Sequence, residues 1–174
     1  MFTKLQRPLI AAICAAMAFA GTAQIASATP APLTATGTIP VSAVIVDSCT
    51  LAVNPLAFGT YAQLALTGTT IVTTNCTLGG MTTLSASNGS HVTGSFQRNM
   101  SNSTNTSSST VLPYNLYTDS ARSVVWGDGT NSTPTISLTG TGNTVNTTIY
   151  GNIPASSVLV PGTYNDSVVV TLTY

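Results

Sequence analysis

His91 is the only histidine in the 174-residue sequence, and it stands among abundant serines and four aspartates, Asp47, Asp119, Asp128 and Asp166. Serine, histidine and aspartate are the parts of an acyl-transfer triad, in which the imidazole takes the hydroxyl proton and the carboxylate orients the ring. The local context argues against one. His91 lies in "NGSHVTG", a turn-like surface stretch, with no nucleophile-elbow motif nearby. Glutamate is absent and Lys4 is the single lysine, so few general acids or bases remain. The expectation is a protein that is not an enzyme and carries no cofactor, with His91 a solvated loop residue. Asp128, in "WGDGT", offers a hard oxygen ligand of the kind calcium takes, but one carboxylate between two glycines reads better as a hairpin turn. Trp126 beside it has the flat apolar face on which a sugar stacks; a half-buried strand position is the blander reading. Asp119 and Arg122 in "TDSAR" are read as fixing a local loop, and an exposed pair of that kind contributes little. The Asn-x-Ser/Thr triplets at Asn131 and Asn146 are what a Thr/Ser/Asn-rich composition produces by chance.

Cysteine chemistry depends on where the chain resides. Lys4 and Arg7 precede an apolar, small-residue run over 9–20, and Ala26-Ser27-Ala28 is a small-x-small site. Together these read as a secretory signal peptide over residues 1–28, cut after Ala28. The run is too short to span a bilayer. Cys14 lies within it without lipobox-like neighbours, so it leaves with the peptide and no lipid anchor is expected. Cys49 and Cys76 survive. The rival readings are two free thiols or half a metal site. A zinc site would lack ligands with His91 alone to help, whereas an exported chain with two cysteines has one possible pairing. A Cys49–Cys76 disulfide and no metal site are expected.

The mature chain, residues 29–174, suits one domain with its own core. Its charges are Arg98 and Arg122 against the four aspartates, two against four, a formal charge of −2. With no basic patch, nucleic acid is not a partner; with no basic amphipathic helix, membrane-surface binding is not expected. Without lysine in the mature chain, no Lys–Asn isopeptide crosslink can form.

The elements that must position these residues are strands. Thr, Val and Ile favour strands, Gly, Asn, Ser and Pro favour turns, and helix formers apart from Ala and Leu are scarce. From Leu33 an alternation begins: Leu33, Ala35, Gly37, Ile39, Val41, Ala43 and Ile45 share one phase, and Thr34, Thr36, Thr38, Pro40 and Ser42 the other. That is the period of a strand with one buried face. Pro40 cannot donate a backbone hydrogen bond, which puts it at a non-pairing position or an edge. Further strands are expected over 49–53, 69–76, 81–87, 95–98, 111–117, 124–126, 135–138, 145–150 and 167–174. The polar stretch 99–109, "NMSNSTNTSSS", reads as a mobile surface loop, and Gly127-Asp128-Gly129 as a tight hairpin. Many short strands between turn clusters specify an all-β sandwich or barrel.

Four segments, "TGTIPVSAVIVDSCTL", "LAFGTY", "LPYNLYTDSARSVVWGDG" and "IYGNIPASSVLVPGTYNDSVVVTLTY", resemble the spore coat U domain family, which includes subunits of archaic chaperone–usher pili. The resemblance covers essentially the whole mature chain and is most specific in "YNLYTDSAR" and "PGTYNDSVVVTLTY". It implies an incomplete immunoglobulin-like β-sandwich lacking its last strand, exported through the periplasm to a surface fibre. A periplasmic chaperone, then an outer-membrane usher, then neighbouring copies of itself or related pilins would be its partners, in attachment and biofilm formation.

On that resemblance, residues 29–48 are an N-terminal extension and 49–174 the pilin domain. The last strand has Val168, Val170, Leu172 and Tyr174 in one phase, and would form the edge of an acceptor groove. An edge with such neighbours invites aggregation unless another strand adds to it. Residues 35–46 are assigned as the donor strand, with Ile39, Val41, Ala43 and Ile45 as its knobs. Pairing of the same segment within its own domain, as a first strand, is the competing arrangement. The alternative function is a secreted, self-complemented coat or carbohydrate-binding module, binding glycan through Trp126.

Overall fold

The computed structural model describes residues 30–105, 111–155 and 159–174; the signal-peptide reading, with Cys14 and the cleavage site, lies outside them. Two units are distinguished, Met1–Ser42 and Ala43–Tyr174. Of the first, residues 30–42 carry no helix or strand, and their side chains are exposed.

The second unit is all-β. Its strands are β1 (Cys49–Val53), β2 (Leu66–Cys76), β3 (Met81–Ala86), β4 (Arg98–Asn102), β5 (Val111–Tyr117), β6 (Ile136–Thr139), β7 (Thr144–Ile153), β8 (Tyr164–Asn165) and β9 (Val170–Thr173). All pairings are antiparallel. One sheet runs β1-β2-β7-β5-β4-β8 and the other β6-β3-β9. Strand alternation builds the core between them. Val72, Leu84, Leu112, Tyr114, Leu116, Ile149 and Ile153 point inward from four strands, with Trp126 among them. Trp126 is not half-buried but 1% exposed, its indole N–H donating to the Leu84 carbonyl at 3.2 Å across the sandwich. An indole so enclosed has no face left for a sugar, and a buried Trp N–H finds a partner in this way.

Cys49 and Cys76 are disulfide-bonded, directly opposite each other in the β1–β2 register with their Cα atoms 4.1 Å apart. Several strands fall where alternation puts them; β1 and β5 match the expected limits residue for residue. Others shift. The strand expected at 95–98 is β4, starting at Arg98 and running into the stretch read as a loop. Asn99 and Asn102 look like loop residues but are buried, and their side-chain amides are hydrogen-bonded. Asn99 Nδ2 donates to the His91 and Gln97 carbonyls, and Asn102 Oδ1 accepts from the amides of Thr104 and Asn105. Residues 106–109 of that stretch lie outside the described residues.

Residues 124–126 form no strand, only a bridge between Val125 and Tyr117. The tight hairpin expected at Gly127-Asp128-Gly129 has no strand beside it and is a turn alone, in which Asp128 accepts from the Thr130 amide and hydroxyl, with Gly129 at φ 91°. Asp119 caps its loop from the amides of Ser123 and Val124, while Arg122 reaches away to the Gly151 carbonyl. The strand expected over 167–174 is shorter, β9 alone from Val170, because the chain is still passing from β8 on β4 to β9 on β3 over residues 166–169.

Candidate functional site: an acceptor groove

β1 is one edge of the six-stranded sheet and β8 the other, and β9 is an edge of the three-stranded sheet. A groove lies between the segment that follows β1 and the segment that carries β8 and β9. One cavity in it, about 450 Å³, is walled by Val53, Pro55 and Leu56 on one side and by Asp166, Val168 and Val170 on the other. Its floor is the core itself, Val72, Leu116, Trp126 and Ile149. A second cavity, about 700 Å³, continues between Leu56–Tyr61 and residues 159–165, over Leu112 and Ile153. The two share Leu56, Met100, Tyr164 and Asn165, so they form one elongated depression.

The wall at Leu56 and Phe58 is seated on glycine. Gly68 and Gly151 face each other across β2 and β7, and a Cβ at Gly151 would stand 2.7 Å from Leu56 Cδ2 and from Phe58 Cζ. No side chain larger than hydrogen fits there without displacing the wall. The "LAFGTY" segment is held at its far end by the Tyr61 hydroxyl, which donates to the Pro154 carbonyl at 2.8 Å.

The opposite wall is braced by a buried polar cluster. The Asp166 side chain is 2% exposed. Its Oδ2 accepts from the Tyr114 hydroxyl at 2.6 Å, and its Oδ1 accepts from the Ser90 amide at 2.9 Å and lies 3.2 Å from His91 Nδ1. Burial alone would raise the Asp166 carboxyl; the hydrogen bonds from Tyr114, the Ser90 and Ser167 amides and His91 outweigh it and hold the group below the usual carboxylate range. Tyr114 is pushed far above the usual phenol range by burial, then by the hydrogen bond to Asp166 and its charge. Asp166 packs against the backbone at Gly89, where a Cβ would collide with it.

Arg98 lies completely buried beneath the same cluster. It donates through Nε and Nη2 to the Ser87 carbonyl, at 2.9 and 2.7 Å, and covers the Phe96 ring at 4.9 Å. Burial lowers its pKa, against the opposing charges of Tyr114, Asp166 and Asp128. A guanidinium remains a cation at neutral pH, so it joins β4 to the chain beyond β3 and offsets the nearby carboxylate.

The residues named from the sequence fall as follows. Val168 and Val170 line the first cavity, Leu172 packs against the core, and Tyr174 lies beyond the end of β9, 60% exposed. Ile39, Val41 and Ile45 are 85%, 90% and 87% exposed, and Ala43 is exposed as well. His91 belongs to the Asp166 cluster and is not simply a solvated loop residue. Sequence reasoning missed Asp166, Tyr114 and Arg98. The available signal was the scarcity of charge: with only six formal charges after residue 28, each one is a candidate for a specific pairing.

A match 37% identical over 70 residues is to "Protein U" of Myxococcus xanthus, covering 40% of this chain and 38% of that protein. A solved structure similar to this fold, with a TM-score of 0.55 and 20% identity, is the CsuC–CsuE chaperone–tip adhesion subunit pre-assembly complex from archaic chaperone-usher Csu pili of Acinetobacter baumannii. The likeness covers 75% of this chain and 40% of that one. Residues 35–171, most of the sequence, match the Spore Coat Protein U domain, and the chain therefore belongs to the Spore Coat Protein U domain family.

Proposed function

We propose that this chain is a structural subunit of a chaperone–usher pilus, polymerised when residues 35–46 of one copy add as a strand to the groove of the next. The observation that carries the reading is complementarity within a single sequence. A depression floored by core side chains runs beside the sheet edges of β1, β8 and β9. An apolar alternation of strand period lies exposed at the other end of the chain. Backbone pairing along an edge supplies affinity, and side chains two residues apart fill pockets. A periplasmic chaperone would occupy the groove first, an outer-membrane usher would exchange it for the incoming leader, and the fibre would stand on the cell surface, supporting attachment and biofilm growth. Nothing in this role asks for catalysis. Trp126, enclosed in the core, gives the glycan-binding alternative no platform.

The test is expression of residues 29–174 with and without a periplasmic chaperone of an archaic pilus system. The expected result is an aggregating or short-lived chain alone and a soluble one-to-one complex with the chaperone. A durable, soluble monomer in both cases contradicts the proposal.

A further inference from the structure

We propose that the outer face of the six-stranded sheet binds an acidic saccharide, a hexuronic acid unit whose ring lies on Tyr150 and Tyr117 and whose carboxylate meets Arg122. This face is separate from the groove and from Trp126, and it stands whether or not a strand is donated. Side chains alternate in direction along β5 and β7. Leu116 and Ile149 point into the core, so Asn115, Tyr117, Tyr150 and Asn152 point outward. The register sets Tyr117 opposite Tyr150 and Asn115 opposite Asn152, in two rows about 7 Å apart.

All four side chains are half-buried. A tyrosine held this way offers a rigid amphipathic surface at little cost in conformational entropy. The C–H face of a pyranose ring packs on such a surface, and the ring hydroxyls need polar partners at its rim. Those partners are present and unused. Among the described residues, neither tyrosine hydroxyl and neither asparagine amide is hydrogen-bonded, and Asn115 Oδ1 is closed to water as well.

Arg122 supplies the charge. Arg98 is completely buried, so Arg122 is the only lysine or arginine that reaches the surface among the described residues. Its guanidinium stands over the Tyr150 ring at 6.0 Å. Nε donates to the Gly151 carbonyl at 3.2 Å and Nη1 to the Ser120 carbonyl at 3.3 Å, which fixes the group in place. Those bonds use two of its five N–H donors and leave three, both of Nη2 among them. Asp119 does not take them, being turned to the amides of Ser123 and Val124. A positioned guanidinium with donors to spare is what a carboxylate engages bidentately. The backbone bears a cost for placing it there, since Arg122 has φ 55°, in the left-handed region. A neutral sugar would leave the guanidinium unused, and a small anion would leave the tyrosine pair unused. A sugar acid engages both.

The test is an NMR titration of the isotope-labelled mature chain, alone or in its chaperone complex, with an oligogalacturonate and with the methyl ester of the same oligomer. The acid form should give saturable shifts confined to the amides of residues 115–117, 122 and 150–152. The ester keeps the rings and removes the charge, and should bind about tenfold more weakly. Tyr150→Thr, which suits an outward strand position, should weaken the acid oligomer about tenfold while the rest of the spectrum is kept. The ester comparison needs no variant, so it decides the matter even where Tyr150→Thr disturbs the sheet. No saturable shift at about 10 mM sugar, equal affinity for acid and ester, or shifts that map to the groove would overturn the inference.

Discussion

Tyr114→Phe removes a single oxygen from beneath the groove and tests whether the wall carrying β8 and β9 is held by a charge-assisted hydrogen bond. The phenol donates to Asp166 Oδ2 at 2.6 Å, and the carboxylate is nearly inaccessible to water, at 2% exposed. Hydrogen bonds to charged groups contribute about 1.5–3 kcal/mol, and a buried acceptor that loses its donor is not compensated by solvent. The ring keeps its packing in phenylalanine, so the loss is assigned to the bond: about 2 kcal/mol, or on the order of 8 °C in Tm for a domain of this size. The assay is reversible urea unfolding of the chain held in a soluble state by an added donor strand. It is run for Tyr114→Phe, Asp166→Asn and the double variant. If the two side chains act as a pair, the double variant loses about 1–2 kcal/mol less than the sum of the singles. A Tyr114→Phe change below about 0.5 kcal/mol, or strict additivity in the cycle, would refute the assignment.

Acid should weaken the same wall. Asp166 has its carboxyl held below the ordinary range, so its contribution is present above about pH 4, the unfolded value, and is lost as pH falls through the folded value; Asp166→Asn should flatten that part of the stability–pH curve measured by urea titration. Trp126→Ala should cost about 3–5 kcal/mol in the same unfolding assay, since it empties the core beneath the groove and removes the indole hydrogen bond to the Leu84 carbonyl. Gly151→Ala should cost about 1–3 kcal/mol and shift Phe58, read as a change in the environment of that ring by NMR, because the new methyl meets Leu56 and Phe58 at 2.7 Å. Reduction of Cys49–Cys76, which closes a loop spanning 27 residues, should lower stability by about 3–4 kcal/mol.

Most of the sheet was legible because alternation and turn residues are local signals. β5 reads directly from Leu112, Tyr114 and Leu116, each buried on one face, and the turn at Asp128 from its two flanking glycines. The disulfide was legible from Cys49 and Cys76, the two cysteines outside the N-terminal apolar run. Three features were not, each for a physical reason. β4 is written in asparagine and serine, and only the tertiary carbonyls and amides that engage Asn99 and Asn102 make a strand of a sequence that looks like a loop. The last strand alternates without interruption from Val168 to Tyr174, yet the chain crosses from one sheet to the other before Val170, an event set by β3 and β4 and not by its own residues. The Asp166 cluster draws Ser90, His91, Tyr114 and Asp166 from three separate parts of the chain, and no spacing rule connects them. The groove itself was reached through a resemblance in sequence; its walls, on glycine at one side and on a buried carboxylate at the other, emerged only from the fold.

The central claim is that an apolar strand supplied from a second leader completes this domain. Its most direct measurement is the thermal unfolding of a mature chain carrying a second copy of residues 35–46 joined behind Tyr174 by a flexible linker, against the same fusion with Ile39, Val41 and Ile45 of the added copy changed to serine. Each of those aliphatic side chains stabilises by about 1.5–3 kcal/mol when buried, so the unaltered fusion should unfold cooperatively at least about 10 °C above its serine counterpart. Equal melting temperatures for the two fusions would contradict the account.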